Sequence, residues 1–141
     1  MHLKKTILII ITFLSISSLG KSEISYEKDF DETQFIIESQ IQAFLDENAE
    51  LAYSYAAPLI KMKFNNPLEF MSMVKNYYEP VYNPKQFYFI DARYFEGAIY
   101  HQLQVISQQD ESFLATYSLI QDGGKWKISG CAVYPMQKQS I

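Results

Sequence analysis

The spacing of apolar positions changes part-way along the chain. Between residues 31 and 82 they recur at helical intervals. From residue 85 to 134 they crowd into runs of β-branched and aromatic residues broken by glycine or polar clusters. Ile37, Ile41, Phe44 and Leu45 fall at i, i+4, i+7 and i+8, one stripe of an amphipathic helix, with Glu38, Gln42 and Asp46 mainly off it. Asp31 is expected to cap that helix, Gln34 completing a capping box. Asp46 or Asn48 caps a short second helix through Leu51 and Tyr55, which Pro58 ends or kinks. A third helix has Asn66 as N-cap, Pro67 at the first helical position and Glu69 at the reciprocal position. Phe70, Met71, Val74 and Tyr78 form its buried face, and Pro80 stops it.

Four strands follow, over Lys85 to Glu96, Ile99 to Ser107, Ser112 to Gln121 and Lys125 to Tyr134. The breaks hold Gly97, the polar run Gln108 to Glu111, and Asp122-Gly123-Gly124, a hairpin signal because glycine permits positive φ. Connections this short predict an antiparallel meander. Strict alternation puts Phe87, Phe89 and Phe95 on one face with Asp91 and Arg93, and Tyr88, Ile90, Ala92 and Tyr94 on the other. A first strand apolar on both faces is expected to be covered on both, or to line a cavity on one. The fold class is α+β: N-terminal helices packed on one face of a curved four-stranded antiparallel sheet.

The N-terminus changes the picture of where the chain works. Lys4 and Lys5 precede an uncharged apolar run from Thr6 to Leu19, and Ser18-Leu19-Gly20 fits a small-x-small cleavage site. Residues 1–20 therefore read as a signal peptide and 21–141 as a single domain. The expected address is exported, periplasmic or secreted. The run falls short of the roughly 20 apolar residues a membrane span needs. No cysteine follows it to carry a lipid. Without Lys4 and Lys5 the chain holds ten basic and sixteen acidic residues, a net charge near −6. The basic residues are scattered singly, which argues against nucleic acid and against an anionic membrane surface as partners. Cys131 is the only cysteine and sits in an apolar strand, so it reads as a buried, inert thiol, with no internal disulfide to hold the domain. The core must then come from packing, and 11 tyrosines and 10 phenylalanines supply the area.

Several runs together resemble a known family. They are Ile41-Gln42-Ala43-Phe44, Ala52-Tyr53-Ser54-Tyr55-Ala56-Ala57-Pro58, Phe70-Met71-Ser72-Met73-Val74, Tyr78-Glu79-Pro80-Val81-Tyr82-Asn83-Pro84 and Trp126-Lys127-Ile128-Ser129-Gly130-Cys131. In order and spacing they are similar to the small exported bacterial proteins grouped as domain of unknown function 4864 (DUF4864), within the nuclear-transport-factor-2-like superfamily. The resemblance implies a cone-shaped α+β fold whose helices and curved sheet enclose a cavity. It implies no activity, since the superfamily mixes isomerases, hydrolases and dehydratases with non-catalytic binding modules.

The residues themselves carry little chemistry. After export His101 is the only histidine left and Cys131 has no partner cysteine, so no metal site and no cofactor are expected. Asp110-Glu111 reads as a charged turn, and Gly123-Gly124 as a hairpin rather than a phosphate loop. No Gly-x-Ser-x-Gly elbow is present. Acid–base catalysis would fall to Asp91 or His101, with tyrosine donors in a cone cavity. Asp91 with Arg93 reads more simply as a structural ion pair, and His101 as a singly bonded strand histidine. Tyrosines on the helices read as core first and pocket lining second, with Tyr82, between Pro80 and Pro84, the best cavity-mouth candidate. Trp126 is expected to pack under the sheet with one acceptor for its indole N–H. The expectation is a non-catalytic module binding a small apolar ligand or a protein partner, with Tyr82, Asp91 and Arg93 as ligand-binding candidates and a homodimer as one possible partner state. The alternative is a small-molecule isomerase or hydrolase using Asp91 or His101.

Overall fold

The computed structural model describes residues 19–138, with side chains from Tyr26 onward. The expected signal peptide therefore falls outside the residues whose side chains are described. Five helices precede four strands: α1 Leu19–Leu45, α2 Ala49–Ser54, α3 Pro58–Lys63, α4 Pro67–Tyr77 and α5 Glu79–Tyr82, then β1 Gln86–Phe95, β2 Ala98–Ile106, β3 Ser112–Asp122 and β4 Lys125–Pro135. The strands form one antiparallel sheet in the order β1-β2-β3-β4. The meander and the helices-then-strands order match the expectation from the sequence. Among the described residues no helix is long and apolar enough to cross a membrane.

Helix α1 runs upstream of Asp31, which lies exposed within it rather than at its start. Tertiary contact overrides the local cap signal here. Tyr26 meets Tyr94 of β1 at 4.9 Å between ring centroids, and Phe30 meets His101 of β2 edge-on at 6.4 Å. Gln34, read as the other half of a capping box, instead donates to the Glu38 carboxylate at 3.0 Å along the helix surface. The apolar stripe is buried at Ile37, Ile41 and Phe44, while Leu45 at the helix end is exposed. Asn48 caps α2, its side chain accepting from the Leu51 N–H. Pro58 does not break that helix, which has already ended at Ser54; it opens α3 at a first-turn position where its missing N–H costs nothing. Asn66 caps α4 as expected, accepting from the Glu69 N–H at 2.9 Å, while the Glu69 carboxylate reaches back to the Asn65 N–H. Tyr78 is the C-cap of α4 and the N-cap of α5, and Pro80 sits in the first turn of α5.

Two of the three hairpin turns contain two residues, both at positive φ: Glu96-Gly97 (48° and 83°) and Gly123-Gly124 (57° and 80°). This twist matches the right-handed twist of the flanking strands. The inner face is set by β2, where Ile99, His101, Leu103 and Val105 are all buried beneath the helices. In β1 the strict alternation fails. Phe89 pairs with Leu103 but Asp91 pairs with Gln102, so Ile90 is an extra residue in a bulge. Beyond it Ala92 and Tyr94 join the inner face, opposite His101 and Ile99, and Asp91, Arg93 and Phe95 turn outward. The sequence-based grouping of Asp91 and Arg93 with Phe87 and Phe89 is therefore corrected by one inserted residue. A second irregularity, between Ser118 and Leu119, leaves Ser129 of β4 unpaired. Beside it, Ala57 N–H donates to the Ile128 carbonyl at 2.7 Å and Ile128 N–H to the Tyr55 carbonyl at 2.8 Å. The segment between α2 and α3 thus covers the edge of β4 at that point.

Candidate functional site

The bulge in β4 and the short helices over it leave a cavity of about 240 Å³. Its wall is built by Phe44 of α1, Phe64 after α3, Phe70 and Val74 of α4, Tyr117 of β3 and Cys131 of β4. The phenylalanines pack on one another, Phe70 standing 6.2 Å from Phe44 and 6.0 Å from Phe64 between ring centroids. Tyr53 supports that wall from behind. Its ring lies 5.7 Å from Phe70 and its hydroxyl donates to the Phe64 carbonyl at 2.7 Å, which pins the end of α3. Lys61 sits over the same ring at 5.1 Å, a cation–π contact. Gln40, also in the wall, is held by its amide, which donates to the Ala52 carbonyl at 3.1 Å. Lys63 is exposed and contributes to the rim.

The strand side of the cavity includes two titratable groups on neighbouring strands. Tyr117 and Cys131 are paired across β3 and β4. The Tyr117 hydroxyl is fully buried and lies beside the Cys131 thiol. Burial pushes this hydroxyl well above the ordinary tyrosine range, and the neighbouring thiol adds to the effect. Burial likewise raises Cys131 to about 12, the tyrosine hydroxyl acting in the opposite direction. Both groups are neutral at any ordinary pH. The thiol, part-buried rather than fully buried, is held protonated by this environment. Next to them Gly130 leaves little room for a side chain on the other face, since a Cβ there would lie 3.0 Å from the Ser118 hydroxyl oxygen.

The residues singled out from the sequence lie elsewhere. Asp91 and Arg93 form an ion pair, Nε to Oδ2 at 2.7 Å, on the open face of the sheet. Tyr82 packs on Phe44 at 6.0 Å between ring centroids but does not line the cavity, where Tyr78 and Val81 take the flanking positions. His101 is 1% exposed on the inner face, with Nε2 2.7 Å from the Thr33 hydroxyl oxygen. That hydroxyl also lies 2.7 Å from the Asp29 carbonyl oxygen, and the tautomer satisfying both bonds carries its proton on Nε2. Desolvation lowers the imidazole pKa to about 4 against the opposing pull of Asp91. Asp91 and His101 thus project to opposite faces and do not converge on one cavity. The indole of Trp126 donates to the Asp29 carboxylate at 3.4 Å, tying β4 to α1. Among the described residues no cluster of His, Cys, Asp or Glu could hold a metal ion.

Sequence reasoning missed Tyr117 as a cavity residue. The only available signal was its place between Ala115 and Leu119, a hydroxyl-bearing side chain in an inward-facing row.

The fold and the cavity define a class: an α+β arrangement whose helices close over one face of an open four-stranded antiparallel sheet around a largely apolar pocket. Within that class the chain belongs to the family described as domain of unknown function DUF4864, which matches it over residues 26–141. No curated protein matches it.

Proposed function

We propose that the chain is an exported, non-catalytic binding module of nuclear-transport-factor-2-like architecture, and that its cavity takes a small apolar ligand. The observation that carries this reading is the pocket of about 240 Å³ walled mainly by aromatic and aliphatic side chains. A dry apolar cavity of about 150 Å³ accommodates benzene, so this one has room for a substituted aromatic ring or a compact branched aliphatic. Tyr117 and Cys131 in its wall are neutral, which suits retention of an apolar body rather than acid–base turnover. The rival reading, an isomerase or hydrolase using Asp91 or His101, would be favoured by a pocket holding Asp91 beside a tyrosine hydroxyl, and neither Asp91 nor His101 lines this cavity.

Native mass spectrometry of the purified chain, followed by solvent extraction, tests the proposal. The expected result is a retained small molecule, or a bare chain whose thermal midpoint rises on adding small aromatics. A bare chain with an unmoved midpoint overturns it.

A second reading concerns the open sheet face, where Tyr88, Ile90 and Tyr134 are 52%, 54% and 63% exposed. Exposed aromatic and aliphatic side chains on a sheet surface favour self-association, and a homodimer across this face is the expected form. Light scattering coupled to size exclusion decides it: a monomer at all concentrations removes the reading.

A further inference from the structure

Helix α3 divides its side chains between the pocket and the solvent. Ile60 and Lys63 line the cavity. Leu59 and Met62, three apart and so neighbours on the helix surface, are 64% and 77% exposed and stand outside the hydrophobic core. Helical spacing puts Lys63 on the pocket side of this apolar ridge and Lys61 on the other. Lysines in a last turn suit the helix dipole, but that accounts for the lysines alone and not for the exposed leucine and methionine. The fold adds cations that the sequence keeps apart. Lys127 of β4 reaches over α2, its Nζ donating to the Ser54 carbonyl at 2.8 Å. The neighbouring Tyr53 ring carries Lys61 at 5.1 Å. After burial, the ammonium groups of Lys61 and Lys125 lower the Lys127 pKa, with Asp122 opposing them. Basic residues that stand singly in the sequence, where they argue against an anionic partner, are thus gathered at this end of the molecule. The chain has no acidic residue from Leu51 to Leu68, and Glu69 just beyond is engaged by the Asn65 N–H at 3.2 Å. Charges farther off are screened beyond about 8 Å at physiological ionic strength, so the local cluster decides what approaches.

We propose that the exposed side of α3 is a docking surface for an anionic phospholipid bilayer. Leu59 and Met62 enter the acyl boundary while Lys61, Lys63 and Lys127 meet headgroup phosphates. A narrow apolar ridge with cations on both sides is the pattern of an interfacial helix. A soluble protein partner fits less well, since a stable interface takes about 800 Å² from each side and two side chains do not supply it. Docking in this way seats the pocket rim, at Ile60 and Lys63, against the membrane. An apolar ligand then passes between bilayer and cavity without crossing water. The docking role does not depend on the cavity being filled.

Vesicle flotation tests the proposal, with phosphatidylcholine alone or mixed with phosphatidylglycerol. The chain is expected to prefer the mixed vesicles by about fivefold for each lysine engaged, a preference that falls as salt is added. Lys61→Gln with Lys63→Gln should weaken binding to mixed vesicles by about tenfold or more and leave binding to phosphatidylcholine unchanged. Leu59→Asn with Met62→Gln should weaken binding to both. All four side chains lie at the surface or are half-exposed, so an unmoved thermal midpoint checks that the variants fold. Equal affinity for the two vesicle types overturns the proposal, as does a preference that survives the lysine substitutions. A second readout locates the contact: the methionine methyl signals in the presence of spin-labelled lipid. Met62 should broaden well ahead of Met71, which is 8% exposed. Attachment through the apolar run near the N-terminus would instead leave Met62 and Met71 alike, and that result overturns docking through α3. Neither readout bears on whether the cavity holds a ligand, which mass spectrometry and the thermal shift with small aromatics decide.

Discussion

Burial between Phe30 and Phe89 makes His101 a structural group with a pH signature. The ring of Phe89 meets it edge-on at 5.5 Å, and its pKa is lowered by desolvation to about 4 from 6.5. Across that window the unfolded chain binds more protons than the folded one, so the contribution to stability is whole above pH 6.5 and is lost as pH falls toward 4. The expected loss between pH 7 and pH 4 is about 2–3 kcal/mol from this group. An imidazole of the folded chain followed by NMR should stay neutral until pH is near 4; titration of His101 near 6.5 would refute the assignment. Its partner gives a second prediction. Thr33→Val removes the hydroxyl that meets both Nε2 and the Asp29 carbonyl, leaving a buried ring nitrogen unpaired. The cost should be about 1–3 kcal/mol, read from urea unfolding monitored by Trp126 fluorescence. A variant as stable as the parent would mean that water replaces the hydroxyl.

At the level of elements, the strand boundaries and the meander were legible because β-branched and aromatic runs end at glycines and polar clusters. The α4 cap at Asn66 was legible because its side chain acts within four residues. Two features were not. The N-terminal extent of α1 depends on Tyr26 and Phe30 meeting Tyr94 and His101, partners some 70 residues away in sequence that no local cap reports. The facing of β1 depends on one extra residue, because side chains alternate with a period of two and a single insertion exchanges the faces beyond it. This makes Ile90 a discriminating position. Deleting it restores regular pairing, with Phe89 still opposite Leu103 and Asp91 opposite Gln102, so the cost should stay within about 1 kcal/mol. Deleting Tyr88 instead forces Phe87 or Phe89 onto the open face and breaks their edge-on contact at 6.3 Å, costing about 1.5–3 kcal/mol. Denaturant midpoints of the two deletions provide the comparison. Equal losses would show that the bulge is not what sets the facing of β1. The candidate site escaped sequence reasoning for a related reason. Asp91, Arg93 and Tyr82 were marked by residue type, whereas the cavity is made by where short helices fail to fill the space over the Ser129 bulge.

For the whole molecule, that unfilled space has an energetic consequence. A dry void of 240 Å³ in a packed core would cost on the order of 5 kcal/mol. Small domains retain only about 5–15 kcal/mol of net stability, so a cavity of this size is a large liability unless something occupies it. Water reaching the pocket through its rim reduces the cost, and a bound apolar ligand would remove it. Val74 tests the balance, being 5% exposed and in the wall. Val74→Ile adds one methylene where the lining stands away from the sheet. If the space is real room, the variant should gain about 0.8 kcal/mol in stability. It should also bind a small aromatic such as acetophenone more weakly, because the new methylene takes volume from the ligand. Both are measured on the same preparation, by urea unfolding and by NMR titration. A loss of stability would mean that the wall is already close-packed and that the added methylene strains it. A gain with unchanged binding would place acetophenone elsewhere on the molecule. Stability and affinity moving in opposite directions is the behaviour expected of a domain whose stability is held down by keeping its pocket open.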